Sequence, residues 1–265
     1  MDPVHAIVLA LVQGLSEFLP ISSSGHLILI PHLFGWPDQG LAFDVAVHVG
    51  TLLALLVYFR RDIAAMTAAW FGSVFGRNHT PDSRLAWQVL VGTIPVGLAG
   101  MLFGDAIEAN LRSPLFVAGT LSFFGLLMYA ADRLSRGTRD ERSVSWPQAI
   151  AIGCAQALAL MPGTSRSGIT MTAGRALGLA RSGAARFSFL LAIPGIAAAG
   201  GYEGLKLVTS HTAADWPSMA IGVAFSALSG IACIHLLIRF IERIGLLPFT
   251  IYRLAIAVLI VWHFA

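Results

Sequence analysis

The sequence predicts an all-α polytopic membrane protein: six transmembrane helices plus two re-entrant broken-helix segments in an inverted-topology repeat. Three observations carry this reading. Of 265 residues, 56% are hydrophobic and only 12% are charged, whereas a soluble domain carries about 25% charged residues. Six apolar runs are long enough for a bilayer, which takes roughly 20 apolar residues per helix. Two further apolar segments are each interrupted by Pro, Gly and Ser. The composition excludes a cytosolic enzyme, a nucleic-acid module and a disordered chain. The runs are continuous rather than alternating, which argues against a β-barrel.

The expected spans lie near 41–59, 85–104, 114–131, 186–203, 217–238 and 249–264. The chain reads as a single membrane domain over 1–265. A first repeat covers 1–131, with its re-entrant segment at 5–34. A second covers 146–265, with its re-entrant segment at 147–178. The half before each break is too short to cross roughly 30 Å of hydrocarbon, and such segments are tolerated only inside protein or along a wet cavity. No cleavable signal peptide is expected, because Asp2 stands where a basic region belongs and Glu17 interrupts the first apolar run. Cys154 and Cys233 fit no disulfide or zinc spacing and read as buried small hydrophobes.

Arginine placement sets the expected orientation. Fourteen of 17 Lys and Arg residues fall in four groups: Arg60, Arg61, Arg77 and Arg84; Arg133, Arg136, Arg139 and Arg142; Arg175, Arg181 and Arg186; Arg239, Arg243 and Arg253. The other loops hold only Arg112 and Lys206. Positive-inside logic puts the four groups in the cytoplasm and both termini outside. Net charge is +3, but the basic residues flank membrane spans, so no nucleic-acid partner is expected. The exception, Arg166, lies in the second break. At an offset of 143 residues, Ala6, Ile7, Gln13, Leu15, Ser22, Ser24 and Gly25 recur as Ala149, Ile150, Gln156, Leu158, Ser165, Ser167 and Gly168. Three spans follow each break, so the second half is inserted upside down. Folds of that kind place their site where the broken helices meet.

Ionisable groups inside a membrane are functional candidates by default. Gln13 and Glu17 are spaced i, i+4 and share a face of the first half-helix. Both offer oxygen ligands to a hard cation such as Mg²⁺ or Ca²⁺. The run Ser22-Ser23-Ser24-Gly25-His26 reads as an N-cap opening a helix near 24–34. Gly163, Thr164, Ser165, Ser167 and Thr170 repeat that chemistry around Arg166. Two helix N-termini and a forked guanidinium on one spot make an anion site suited to phosphate. His26 can serve as an acid or a base at neutral pH. Asp44 and His48 form a weaker i, i+4 pair. The other histidines, His5, His32, His79, His211, His235 and His263, suit membrane ends and loops.

At these residues the sequence resembles the bacterial undecaprenyl pyrophosphate phosphatase family, also called the bacitracin-resistance protein family. The family's (E/Q)xxxE motif corresponds to Gln13 through Glu17, followed by Phe18-Leu19-Pro20-Ile21-Ser22-Ser23-Ser24-Gly25-His26. Its PGxSRSxxT motif corresponds to Pro162 through Thr170. Many members carry Glu where this chain has Gln13. The resemblance implies hydrolysis of undecaprenyl pyrophosphate to undecaprenyl phosphate and inorganic phosphate, recycling the lipid carrier of cell-wall synthesis and conferring bacitracin resistance. It also implies a polyprenyl diphosphate lipid substrate, a divalent cation (Mg²⁺ or Ca²⁺), a homodimer, and the bacterial inner membrane with the active site on its outer face. The expected catalytic residues are Glu17, Ser23, His26 and Arg166. Ser22, Ser24, Gly25, Gly163, Thr164, Ser165, Ser167 and Thr170 are expected to bind substrate, and Gln13 and Glu17 the metal. Two routes to the attacking group stay open: Ser23 with His26 as base, or water activated by His26 or Glu17. A transporter or flippase of an anionic polyprenyl phosphate lipid on the same repeat is the alternative. The phosphatidic-acid-phosphatase type of site is disfavoured because Thr172 stands where its histidine belongs.

Overall fold

A computed structural model describes residues 1–76, 79–111, 113–209 and 215–264, the side chains of Asp105, Glu108 and Val208 excepted. Arg77, Arg112 and His211 lie outside the described residues. The chain is all-α: among the described residues no β-strand forms, and one isolated bridge pairs Arg139 with Leu179. The helices are α1 (Pro3–Ser16), α2 (Ser23–Phe34), α3 (Gly40–Tyr58), α4 (Arg60–Phe75), α5 (Pro81–Asn110) and α6 (Pro114–Leu134). They continue as α7 (Trp146–Ala157), α8 (Arg166–Ala176), α9 (Arg181–Thr209), α10 (Trp216–Ile244) and α11 (Leu247–Phe264). A 3₁₀ turn, Leu158–Leu160, extends α7 toward the second break.

Six of these helices are long and apolar enough to cross a bilayer: Gly40–Tyr58, Pro81–Gly104, Pro114–Leu134, Arg181–Leu207, Trp216–Ile244 and Leu247–Phe264. They correspond to the six expected runs, extended at their ends by polar capping turns. A hydroxyl or carboxylate cap followed by proline starts α5, α6 and α10, and the shorter α1 as well. Asp2 Oδ1 accepts the Val4 N–H at 2.7 Å ahead of Pro3. Thr80 and Ser83 form a reciprocal capping box around Pro81. Ser113 accepts the Phe116 N–H, and Asp215 the Ser218 N–H. Each such cap satisfies an N–H that the helix itself leaves unpaired.

The interhelical packing is tightest around α10, which lies along α3 and α1. Small residues make that approach feasible. A Cβ on Gly50 would sit 1.9 Å from Ser226 Oγ, and one on Gly14 2.0 Å from Ser229 Oγ. Other close pairs are α11 on α6, α5 on α7, α3 on α9, α4 on α5, and α8 between α6 and α9.

The structure corrects three expectations. Residues 60–75 form α4, a helix missed because Arg60, Arg61 and Asp62 break the apolar pattern at its start. Arg175 and Arg253 are not loop charges: both are buried within helices, so neither reports on membrane orientation. Cys154 is exposed on α7, while Cys233 is buried and donates to Leu15 O at 3.3 Å. The segment between Ser135 and Ser145 is pinned in place. Arg142 pairs with Asp82 at 3.0 Å, Arg186 with Glu141 at 2.7 Å and with Asp62 at 3.0 Å, and Gln88 Nε2 donates to Val144 O at 2.7 Å. Near it, Asp132 accepts from Arg175 Nε (3.0 Å), Arg181 Nε (2.8 Å), Arg181 Nη2 (3.0 Å) and Leu246 N (3.2 Å).

Candidate active site

The two interrupted segments meet at their tips. Between α1 and α2 the chain turns through Glu17–Ser22; between α7 and α8 it turns through Met161–Ser165. Ser22 and Ser165 are the only described residues other than glycine with positive φ, at 75° and 69°. They stand 143 residues apart, at matching places in the offset comparison, and each is the N-cap of the helix that follows. A left-handed backbone is uncommon outside glycine, and such strain concentrates at functional sites. The hydroxyl spacing repeats as well: Ser22 Oγ lies 3.4 Å from Ser24 Oγ, and Ser165 Oγ 3.3 Å from Ser167 Oγ.

One carboxylate joins the tips. Glu17 Oε1 accepts from Arg166 Nη2 at 2.8 Å, across 149 residues of sequence. Its other oxygen, Oε2, accepts from Ser23 Oγ at 2.6 Å and from Gln13 Nε2 at 3.2 Å. A second link runs from Ser167 Oγ to Leu19 O at 3.0 Å. Arg166 is aimed by Ser188 O on α9, 3.3 Å from Nη1. Burying a carboxylate beside a guanidinium is costly unless the remaining lone pairs are satisfied. Ser23 and Gln13 meet that need here.

The structure pairs Ser23 with Glu17 rather than with His26. His26 Nδ1 lies 2.7 Å from Ser22 O. A carbonyl only accepts, so Nδ1 carries a proton. Nε2 lies 2.7 Å from Tyr252 Oη, so both imidazole nitrogens are occupied away from Ser23. The other predicted residues divide. A Cβ on Gly25 would lie 3.8 Å from Ser22 Oγ, an ordinary contact, and Ser24 is exposed. Gly163 O and Thr164 O accept from Arg253 at 3.0 and 2.9 Å, and Thr164 N donates to Met161 O at 3.2 Å. Thr170 faces α9, with Oγ1 2.7 Å from Ser188 Oγ and 2.8 Å from Arg166 O. His48 Nδ1 donates to the Asp44 backbone oxygen at 2.7 Å, and Asp44 Oδ1 accepts from Gln39 at 3.0 Å.

Arg253 is the residue sequence reasoning missed. It is fully buried and donates to five carbonyls: Leu121 and Thr120 on α6, Pro20 on the first tip, Gly163 and Thr164 on the second. It therefore holds the two turns against each other and against α6. Its position within an 18-residue apolar helix was the available signal. Gly163 makes the close approach possible: its φ is +87°, and a Cβ there would lie 2.3 Å from Thr120 Oγ1.

Near the tips, Gln13 Oε1, both polar side-chain atoms of Gln156 (its counterpart in the second segment) and Thr164 Oγ1 are buried without a hydrogen-bond partner. Buried polar groups are nearly always paired, so each such atom calls for an explanation.

The sequence pattern of the family described as Bacitracin resistance protein BacA matches residues 6–259. The chain belongs to the BacA family. It is 59% identical over 265 residues to Undecaprenyl-diphosphatase 2 of Stutzerimonas stutzeri, covering 98% of each chain. It is 55% identical over 260 residues to Undecaprenyl-diphosphatase of Teredinibacter turnerae, again covering 98% of each. Undecaprenyl-diphosphatase of Nitrosococcus oceani is 52% identical over 265 residues, the full length of both. Within this BacA-family chain, the matched region contains every residue of the site described above.

Proposed function

We infer that this BacA-family protein is an undecaprenyl-diphosphatase. It hydrolyses undecaprenyl pyrophosphate to undecaprenyl phosphate and inorganic phosphate. One observation carries the mechanism: a single carboxylate, Glu17, takes Ser23 on one oxygen and Arg166 on the other.

In this reading Arg166 binds the terminal phosphate and stabilises charge on its non-bridging oxygens. Ser23 Oγ attacks the terminal phosphorus while its proton passes to Glu17 Oε2. The bond from that phosphorus to the bridging oxygen breaks, and undecaprenyl phosphate leaves with the electron pair. Glu17 gives up the proton taken from Ser23 to solvent. Water then attacks the phosphoserine and loses a proton to Glu17, which passes it to Ser23 Oγ as the bond from phosphorus to serine breaks and inorganic phosphate departs. Glu17 is the base because its Oε2 accepts the Ser23 hydroxyl hydrogen bond at 2.6 Å; His26 steadies the turn through Ser22 O. A positioned base supplies typically 10²–10⁴-fold.

The donor set also fits a divalent cation, Mg²⁺ or Ca²⁺. Gln13 Oε1 is a buried, unpartnered hard oxygen beside the Glu17 carboxylate. Among the described residues no group of three His, Cys, Asp or Glu side chains forms a closed cage. That suits an ion carried by one or two protein oxygens plus substrate phosphates. Glu17 and Gln13 would hold it, and it would neutralise phosphate charge.

The two broken segments are read as re-entrant hairpins of an inverted repeat, 1–131 and 146–265, dipping from opposite leaflets. The 14 residues of α1 extend only about 21 Å, too short to cross. Thr120, which donates to Pro162 O at 2.6 Å, lies about 9 Å along α6 from its start, inside the bilayer's thickness. The inner membrane, a site open to its outer face, and a homodimer complete the reading. The arginine-rich end near the 135–145 segment supports that orientation.

The test is phosphate release from undecaprenyl pyrophosphate by the purified protein in detergent, where no two sides exist for transport. The wild type is expected to turn over. Glu17→Gln and Arg166→Ala, folded as judged by thermal melting, are expected to be nearly inactive. Near-normal release by the Arg166→Ala protein contradicts the clamp.

A further inference from the structure

The two tips are built alike but held differently. Both carry a serine at positive φ, a conformation that persists only where its surroundings over-determine it. At the second tip Ser165 caps its own helix. Its Oγ accepts the Gly168 N–H at 3.2 Å, and its carbonyl accepts the Ile169 N–H at 2.9 Å. At the first tip Ser22 makes no side-chain cap among the described residues. Its Oγ lies 3.4 Å from Ser24 Oγ, and its carbonyl lies 2.7 Å from His26 Nδ1. At the 143-residue offset, His26 stands where the second tip has Ile169. An imidazole at the first tip thus holds the oxygen that a backbone amide holds at the second.

A side chain is a looser fixture than a backbone amide, because its rotamers can change. Tyr252 of α11 removes that freedom. Its Oη lies 2.7 Å from His26 Nε2, with the ring planes 8° apart. The Nδ1 proton is committed to Ser22 O, so in the neutral ring Nε2 is an acceptor and the Tyr252 hydroxyl donates to it. We propose that Tyr252 is a positioning residue for the Ser23 nucleophile, acting through His26. The proposal rests on the hydrolase reading above and adds what sets the direction of the attacking serine. The Ser22 carbonyl belongs to the same planar peptide unit as the Ser23 N–H. Holding that oxygen fixes the plane, and with it the Cα from which the Ser23 hydroxyl reaches Glu17 Oε2 at 2.6 Å. The next residue of α11, Arg253, donates to Pro20 O at 3.4 Å. Consecutive residues of one helix therefore grip the first turn on both sides of Ile21, Arg253 directly and Tyr252 through the imidazole.

The experiment is a double-mutant cycle on phosphate release from undecaprenyl pyrophosphate in detergent, with Tyr252→Phe, His26→Ala and the two combined. Tyr252→Phe keeps the ring and removes only the hydroxyl. It is expected to lower kcat by about tenfold, since a small misplacement of a reacting group costs up to about 10²-fold. KM, set by the Arg166 grip, is expected to move less than about twofold. Added to His26→Ala, the same substitution is expected to change kcat by less than about twofold, because residues that act through one another are not additive. A wild-type kcat in Tyr252→Phe, a loss confined to KM, or a loss repeated undiminished in the His26→Ala background overturns the proposal. A wild-type protein without turnover overturns the hydrolase reading and the role with it; turnover that Tyr252→Phe leaves untouched overturns the role alone. A second measurement reads the ring without turnover. ¹⁵N NMR of histidine-labelled protein, with the His26 signals assigned by their loss in His26→Ala, is expected to show the proton on Nδ1 alone in the wild type and exchange between both tautomers in Tyr252→Phe. A proton on Nε2 in the wild type, or the same signature with and without the hydroxyl, overturns the relay.

Discussion

Asp132 and Glu17, two of the buried carboxylates that face guanidinium groups, are built differently. Asp132, near the end of α6, receives four donors from Arg175, Arg181 and the Leu246 amide. Arg175 spends its remaining donors on the Gly137, Leu179 and Ser135 carbonyls. Nothing there is left for a ligand, and the cluster ties together α6, α8, α9 and the α10–α11 turn. Glu17 receives Arg166, Ser23 and Gln13, but the surroundings keep Gln13 Oε1 and Thr164 Oγ1 unpartnered and two serines in a strained backbone. Saturation marks a clamp. Incomplete pairing around a charge marks a site. Twelve residues of α6, about 18 Å of helix, separate Thr120 at the tips from Asp132 at the clamp, so one rigid element references both.

The sharpest way to break this contrast is to remove a charge at each end. Arg166→Ala is expected to cut phosphate release by about 10²–10³-fold or more with a small change in thermal midpoint. Asp132→Ala is expected to act the other way. It strands two guanidinium groups and costs about 3–5 kcal/mol of stability, while turnover per folded molecule is retained. Thermal unfolding alongside phosphate release separates the two outcomes. A folded but inactive Asp132→Ala protein would show that the clamp belongs to the chemistry.

Smaller substitutions sharpen the comparison. Gln13→Glu restores a second carboxylate at the turn. It is expected to keep activity and to lower the divalent-cation concentration for half-maximal rate, read from a metal titration; an unshifted curve removes Gln13 from the cation's surroundings. Thr164→Val deletes a hydroxyl that has no partner in the protein. Its stability is expected to change by less than about 1 kcal/mol, with KM rising severalfold. An unchanged KM means that Thr164 does not touch substrate.

Much of this was legible in the sequence. The spans follow from apolar runs, and the tips follow from Ser, Gly and Pro inside such runs. Gln13, Glu17 and Arg166 stood out because charge and amide groups are costly there. What could not be read was pairing at long range. Nothing local says that Ser23 meets Glu17 while His26 meets Tyr252, 226 residues away. Arg253 was assigned to a membrane end because arginines usually sit there; its five carbonyl acceptors exist only once the turns have folded around it. The left-handed Ser22 and Ser165 were equally hidden, since serine rarely adopts that conformation and only surrounding structure enforces it. α4 escaped because its first turn carries three charges.

The central claim is that Ser23, held by Glu17, attacks the phosphorus gripped by Arg166. The most direct measurement is the stereochemical course at the terminal phosphorus, using a substrate made chiral there with sulfur and oxygen isotopes. Attack by serine followed by water inverts the centre twice, so overall retention is predicted. Net inversion would mean that water attacks in a single step and would contradict the assignment of Ser23 as nucleophile.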